Sequence, residues 1–170
     1  FLYGSGSVGA LTINGQASAG TGSNTVGNLR ASALTLPNNG RMQVNLSAMT
    51  GTPGTDWDVV TVSGGSGTYT VGASVGNEFV IALKGNPSFN NTQSYTLVIV
   101  DAGTASGFAA NKFTVDTSEF APSLGGGAFS VDATGGDLRL VFTPAAVPPT
   151  VTTTIASATN TTTATAGGNV

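Results

Sequence analysis

All-β structure is what this sequence predicts, on three observations. Short runs rich in Val, Ile, Thr, Phe and Tyr recur along the chain, Val59–Val62 and Tyr95–Val100 among them, and these side chains suit a pleated, half-buried surface. Clusters of Gly, Asn and Pro cut the runs apart at Gly64-Gly65, Gly85-Asn86-Pro87, Gly125-Gly126-Gly127 and Gly135-Gly136, the residues that build tight turns. No segment carries a capped apolar stripe at helical spacing, and Ser106–Asn111 has room for one helical turn at most. Short strands at such spacing admit two architectures, a parallel β-helix (β-solenoid) or, alternatively, a β-sandwich. Periodicity alone leaves both open.

Taken in order, Val8–Ile13 is a first short strand, followed by a loop of Gly, Ser, Ala and Asn. Residues 25–36 place apolar side chains at Val26, Leu29, Leu34 and Leu36, and Pro37-Asn38-Asn39-Gly40 is a turn in which an Asn-Gly pair accepts positive φ. Arg41–Leu46 alternates, with Met42, Val44 and Leu46 on one face and Arg41, Gln43 and Asn45 on the other, the pattern of a half-exposed strand. Around Trp57–Val62 both faces are apolar, so that strand is expected to be covered on both sides. Further strands are expected at Thr68–Val71, Glu78–Leu83, Tyr95–Val100, Lys112–Val115, Ala128–Val131 and Leu138–Phe142. The organisation read from these signals is a β domain over 1–144, a Pro-rich linker over 145–149 and a Thr-rich strand tail over 150–170.

Composition sets the bounds on function. With 39% hydrophobic residues the chain is too apolar for simple disorder, yet only 8% of it is charged, against a typical ~25%. Histidine and cysteine are absent, and 5 Lys+Arg face 8 Asp+Glu, so the groups that perform acid–base, thiolate or imidazole–metal chemistry are scarce. A net charge of −3 with singly scattered cations argues against nucleic acid as a partner, and no apolar run approaches the ~20 residues of a membrane span. Asn, Ser and Thr must carry the solubility. A start at Phe1 without Met or a basic leader reads as a processed product or a fragment.

Few candidate sites emerge. Asp56 and Asp58 flank Trp57 and are weak calcium candidates; no repeated acidic loop accompanies them, and the plainer reading is a turn in which Asp56 bonds its own backbone and Asp58 faces solvent. Glu78 and Glu119, the two glutamates, would have to lie ~5–9 Å apart to act as a glycosidase pair. Alanine at any of these four acids is expected to cost little stability and no activity. Tyr3, Trp57, Tyr69 and Tyr95 are either core aromatics or a sugar-stacking platform. The Gly4-Ser5-Gly6 and Gly125–Gly127 runs lack the Lys and the helix of a phosphate loop. Asn45, Asn90 and Asn160 head glycosylation triplets that matter only in a host that glycosylates.

Gly54-Thr-Asp-Trp-Asp-Val-Val-Thr-Val-Ser-Gly64 resembles the G-x-D-Y-D-x-x-x-V-x-G segment of bacterial autotransporter-associated β-strand-repeat proteins. The resemblance extends over about residues 25–144 through Glu78–Ile81, Tyr95–Val100, Phe113–Val115 and Gly136–Pro144. It implies a right-handed β-helix or β-solenoid stalk in a large exported surface protein. Residues 149–170 are similar to the opening strands of fibronectin/immunoglobulin-like repeats of bacterial surface proteins and stop where the later strands would begin.

The function expected is therefore that of a non-enzymatic extracellular structural protein. It would be a subunit or segment of a bacterial surface stalk or filament, assembled with copies of itself through β-strand contacts, with no cofactor and no membrane insertion. In the tail, Val151, Thr153, Ile155, Thr161 and Thr163 are the expected partner-binding residues, since two Thr-rich strands beyond a Pro-Pro linker bury too little to fold alone. The tail pairs either with a neighbouring copy or back onto its own domain. The alternative function is an adhesin or carbohydrate-binding module, with a surface glycan as its partner.

Overall fold

The structure, a computed structural model, describes residues 1–149 and, beyond them, the backbone of the strands Thr152–Thr153, Ser157–Asn160, Thr163–Thr165 and Gly168–Asn169. All-β organisation is what it shows: the helical elements among the described residues are three 3-10 turns of three residues each, at Ser63–Gly65, Ala110–Lys112 and Thr134–Gly136. The strands of residues 1–149 are β1 (Leu2–Tyr3), β2 (Ser7–Thr12), β3 (Gln16–Ser18), β4 (Asn28–Leu36), β5 (Arg41–Ala48), β6 (Val59–Val62), β7 (Thr68–Val71), β8 (Phe79–Ser88), β9 (Tyr95–Asp101), β10 (Thr104–Ser106), β11 (Phe113–Phe120), β12 (Ala128–Asp132) and β13 (Leu138–Thr143).

They form two sheets between which the chain passes back and forth. The first is five-stranded in the order β1-β3-β5-β8-β11, and every pair in it is parallel. The second is eight-stranded, in the order β10-β7-β4-β6-β9-β13-β12 with β2 also on β4. It is parallel from β2 through β4, β6 and β9, and antiparallel where β13 meets β9 and β12. Parallel neighbours cannot be joined by a tight hairpin, so each turn of chain must travel through the other sheet before it returns.

Register turns this topology into a core. Leu2, Ala17, Met42, Ile81 and Val115 are successive partners across the first sheet, while Leu29, Val60, Val100 and Leu138 are partners across the second. Because alternate residues face opposite sides of a sheet, the inward column of one sheet meets that of the other, and Ile81, Phe79, Leu34, Leu97 and Leu140 are fully buried between them. Each large side chain so buried contributes about 1.5–3 kcal/mol. The strand expected to be covered on both faces is so: all four residues of β6 are buried.

Several sequence breaks prove to be corners that stack. The nine-residue β4 pairs first with β6 and then with β7. Between β6 and β7 the chain runs through Ser63, Gly64 and Gly65 at φ 46°, 67° and 85°, a left-handed passage that glycine makes without strain. One turn later Gly103 and Thr104 both donate N–H to the Gly67 carbonyl, at 2.9 and 3.1 Å, as β9 gives way to β10. The Pro37–Gly40 turn forms as expected, with Asn39 at φ 56° and the Gly40 N–H donating to Pro37 O at 3.3 Å. Gly40 is needed for a second reason, since a Cβ there would collide with the Ile13 carbonyl and the Phe79 ring.

At the end formed by β12 and β13, Phe89, Phe120, Phe129 and Phe142 pack edge to face, tilted and, for Phe89 with Phe129, stacked, with centroids 4.8–6.3 Å apart. Residues 145–149 are exposed and belong to no strand or helix. In the tail, Thr152–Thr153 pairs antiparallel with Gly168–Asn169, and Ser157–Asn160 with Thr163–Thr165.

Tyr69 supplies a test of core packing. It is fully buried on β7, and its hydroxyl has no hydrogen-bond partner. An orphaned buried hydroxyl costs about 1–3 kcal/mol, so Tyr69→Phe is expected to leave stability unchanged or raise it, as measured by urea unfolding. A loss above about 1 kcal/mol would mean that the hydroxyl is satisfied in solution.

Candidate functional site

The outward face of the five-stranded sheet carries the polar side chains. Its register rows are Gln16, Arg41, Val80 and Thr114; Ser18, Gln43, Ala82 and Asp116; and Asn45, Lys84 and Glu119. Arg41 reaches past the small Ala82 to Asp116, Nη2 to Oδ2 2.8 Å, and Lys84 meets Glu119, Nζ to Oε2 2.8 Å. Both pairs are partly solvated and contribute little more than about 1 kcal/mol each.

The half-exposed reading of Arg41–Leu46 needs correction here. Gln43 and Asn45 are each 3% exposed, because residues 19–27 fold across this face and bring their own backbone as hydrogen-bond partners. Gln43 Nε2 donates to Ser23 O at 2.7 Å and to Asn45 Oδ1 at 3.0 Å, and Asn45 Nδ2 donates to Thr25 O at 3.2 Å. Burying these amides without partners would cost several kcal/mol; the loop supplies the partners.

Asp58 lies at the centre of this arrangement, 3% exposed and not facing solvent as expected. Its Oδ2 accepts from Ser18 Oγ at 2.9 Å, from the Asn45 N–H at 3.0 Å and from Asn45 Nδ2 at 2.8 Å, while Oδ1 accepts from the Gly27 N–H at 2.8 Å. One carboxylate thus joins β3, β5, the covering loop and the approach to β6. Burial pushes the Asp58 carboxyl above the ordinary carboxylate range, and the donors from Asn45, Ser18 and Gly27 pull against it. Gly27 must be glycine, since a Cβ would press on the Ala19 carbonyl.

The remaining candidates separate. Asp56 closes its own turn, Oδ2 accepting the Thr52 N–H at 2.7 Å. As Asp58 is committed to four protein donors, the Asp56–Asp58 pair offers a cation little, and no group of three or more acidic, His or Cys side chains suited to a metal occurs among the described residues. Glu78 accepts the Gly76 N–H at 2.7 Å just before β8, and Glu119 pairs with Lys84 in the middle of that strand. Six residues of strand hold them about 20 Å apart, beyond any glycosidase spacing. The four-aromatic platform does not assemble: Trp57 is 5% exposed with Nε1 donating to Val98 O at 2.8 Å, and Tyr69 is in the core. Tyr95 is half-buried against Phe89 and Phe142, and Tyr3 stacks on Phe1 at the opposite end. Of the tail candidates, Thr153 pairs with Gly168 and Thr163 with Asn160; Val151, Ile155 and Thr161 lie outside the described residues.

Beside the network lies an open cleft of about 340 Å³ lined by Val26, Leu46 and Ala121 as well as Asn45, Lys84 and Glu119. Sequence reading missed both features, because the polar residues that build them alternate with apolar ones as any surface residue would. No protein-family model matches the chain, and no curated protein or solved structure does either.

Asp58→Ala would orphan the Asn45 and Gly27 N–H groups and the Ser18 hydroxyl, while Asn45 Nδ2 keeps Ser18 Oγ and Thr25 O, so it is expected to destabilise by about 3 kcal/mol or more in urea unfolding; an effect below about 1 kcal/mol would contradict the network. A second expectation concerns pH. The Ser118 N–H and hydroxyl, with the Arg41 guanidinium, hold Asp116 down at about 2 against an ordinary 3.8. A depressed folded-state value contributes stability above 3.8 that is lost as pH falls through about 2. Asp58 runs the other way: its raised value favours the fold below 3.8, and that contribution disappears as pH rises through the folded-state value. Arg41→Gln should therefore flatten part of the acid-side loss of stability, read from thermal melts at pH 5, 4, 3 and 2. An unaltered profile would exclude the ion pair as its source.

Proposed function

We propose that this chain is a non-enzymatic, extracellular structural protein, a segment of a bacterial surface stalk or filament built as a right-handed β-solenoid. The observation that carries the reading is the vertical register: Leu2, Ala17, Met42, Ile81 and Val115 are parallel partners in succession. A chain that stacks each turn on the one before is a rod whose length grows with the number of turns. Right-handed passage is the common sense for parallel strands joined through a crossover. The resemblance of Gly54–Gly64 to autotransporter-associated repeats agrees with this reading, and so does the commitment of Asp58, Asp56, Glu78 and Glu119 to structural hydrogen bonds and ion pairs.

Assembly through β-strand contacts gives the tail its role. Val151, Thr153, Ile155, Thr161 and Thr163 would add to an edge of a neighbouring copy, exchanging the short ladders that the tail strands make with each other for longer ones. Such a contact is heterologous and propagates. The alternative, an adhesin or carbohydrate-binding module, draws support from the cleft beside Asn45, Lys84 and Glu119, whose amide and charged groups suit sugar hydroxyls.

Electron microscopy of the purified chain, with and without the residues after Pro148, tests the proposal. Linear assemblies that fail to grow once the tail is removed are expected. Assemblies of unchanged length without the tail would exclude it as the linking strand, and a full-length chain that never assembles would count against the filament reading. A glycan array on which binding disappears in Lys84→Ala would favour the module instead.

A further inference from the structure

We propose that the outward face of the eight-stranded sheet holds a binding site for a primary aliphatic ammonium group, the chemistry shared by a small alkylamine and a lysine side chain. A cleft of about 320 Å³ opens there over β6, β9 and β13, with Thr61, Asp101 and Asp137 among the residues that line it. Thr61 is the register partner of Asp101, and Asp137 precedes Leu138, the partner of Val100. The antiparallel pairing of β9 and β13 therefore sets Asp137 opposite Asp101, and the Ala102 N–H donates to Asp137 Oδ1 at 2.9 Å. Two carboxylates and a hydroxyl thus lie in one row across three adjacent strands.

These acceptors are left free. Of the 8 acidic side chains, Asp116, Glu119 and Asp132 are ion-paired, and Asp56, Asp58 and Glu78 accept backbone N–H groups. Asp137 uses one oxygen on Ala102, and Asp101 has neither a side-chain hydrogen bond nor an ion pair among the described residues. Thr61 is 8% exposed, and its hydroxyl likewise has no partner among them. Gly65, at φ 85°, makes room for the free carboxylate, since a Cβ there would lie 2.7 Å from Asp101 Oδ1. The neighbouring cations do not fill the row. Arg139 is held by Asp132 at 2.6 and 2.8 Å, and Arg30, the partner of Thr61 on β4, is exposed and makes no ion pair among the described residues.

Chemistry selects the ligand. A calcium ion takes about six to eight oxygen ligands, more than this row offers, and it fills only a small part of the cleft. Pro53, Val59 and Val98 also line the cleft, an apolar side from which a bare ion gains nothing. A primary ammonium carries three N–H donors, one for each of Asp101, Asp137 and Thr61, and its alkyl stem covers the apolar side. Both carboxylates are partly solvated, so the affinity expected is on the order of millimolar.

Titration of the full chain with n-butylamine and with Nα-acetyl-lysine methylamide, followed by amide NMR shifts, tests this. At least one should give saturable shifts centred on Thr61, Val98, Asp101 and Asp137, and the tighter of the two identifies the source as a free amine or a lysine side chain. Tetramethylammonium, of equal charge but without an N–H, should fail to saturate. Asp101→Asn should weaken binding by about tenfold or more. Asp137→Asn keeps an oxygen for the Ala102 N–H and replaces that variant if it misfolds. Shifts that stay linear in both amines, tetramethylammonium binding equally well, or undiminished affinity in the folded Asn variant would overturn the proposal. Calcium chloride moving the same amides at lower concentration than either amine would do so too, by making this a metal site. An Arg30→Gln variant should bind within about threefold of the parent; binding tightened by about tenfold or more would make Arg30 the resident cation and refute the proposal.

Discussion

Parallel pairing between strands that are distant in sequence supplies most of the backbone hydrogen-bond partners in residues 1–120, and the rest of the structure depends on that constraint. Buried N–H and C=O groups must be paired, and here the pairing is parallel through β1, β3, β5, β8 and β11. Parallel pairing fixes which residues lie above one another, so the Ala17–Met42–Ile81 column becomes core and the Gln16–Arg41–Val80–Thr114 row faces outward. Slipping one strand by a single residue would exchange the two faces. The register is therefore held by burial itself.

Asp58 adds a second hold where the ladder alone is short. β3 has three residues and the loop between β3 and β4 has no strand of its own. A buried carboxylate accepting from Ser18, Gly27 and Asn45 ties that loop to β3, β5 and the approach to β6 at once. Such a network stabilises only when every member is satisfied; the loop supplies the missing acceptors through Ser23 O and Thr25 O. The same loop walls the cleft at Asn24, so the stability of the turn and the shape of the surface beside it have one origin.

The strands themselves were legible in the sequence. Val59–Val62, Tyr95–Asp101 and Leu138–Thr143 sit where apolar runs and glycine breaks place them. The polar interior was not. Alternation in Arg41–Leu46 separates two faces correctly but cannot distinguish water from a covering loop thirty residues upstream or less, and Gln43 and Asn45 carry no local mark of burial. Asp58 beside Asp56 read as a surface pair for the same reason, and its donors come from Ser18, Gly27 and Asn45, all distant in sequence. Periodicity left the pairing direction open between a parallel β-helix and a sandwich, since parallel and antiparallel strands draw on the same residue types.

The direction of pairing in the five-stranded sheet is the central structural claim, and cross-strand NMR contacts test it most directly. Contacts between β5 and β8, and between β8 and β11, should climb both strands together, from Met42 with Ile81 to Val44 with Leu83, and from Phe79 with Phe113 to Val115 with Ile81. Contacts that rise along one strand as they fall along the other would mean antiparallel pairing, and the stacked-turn account would be wrong.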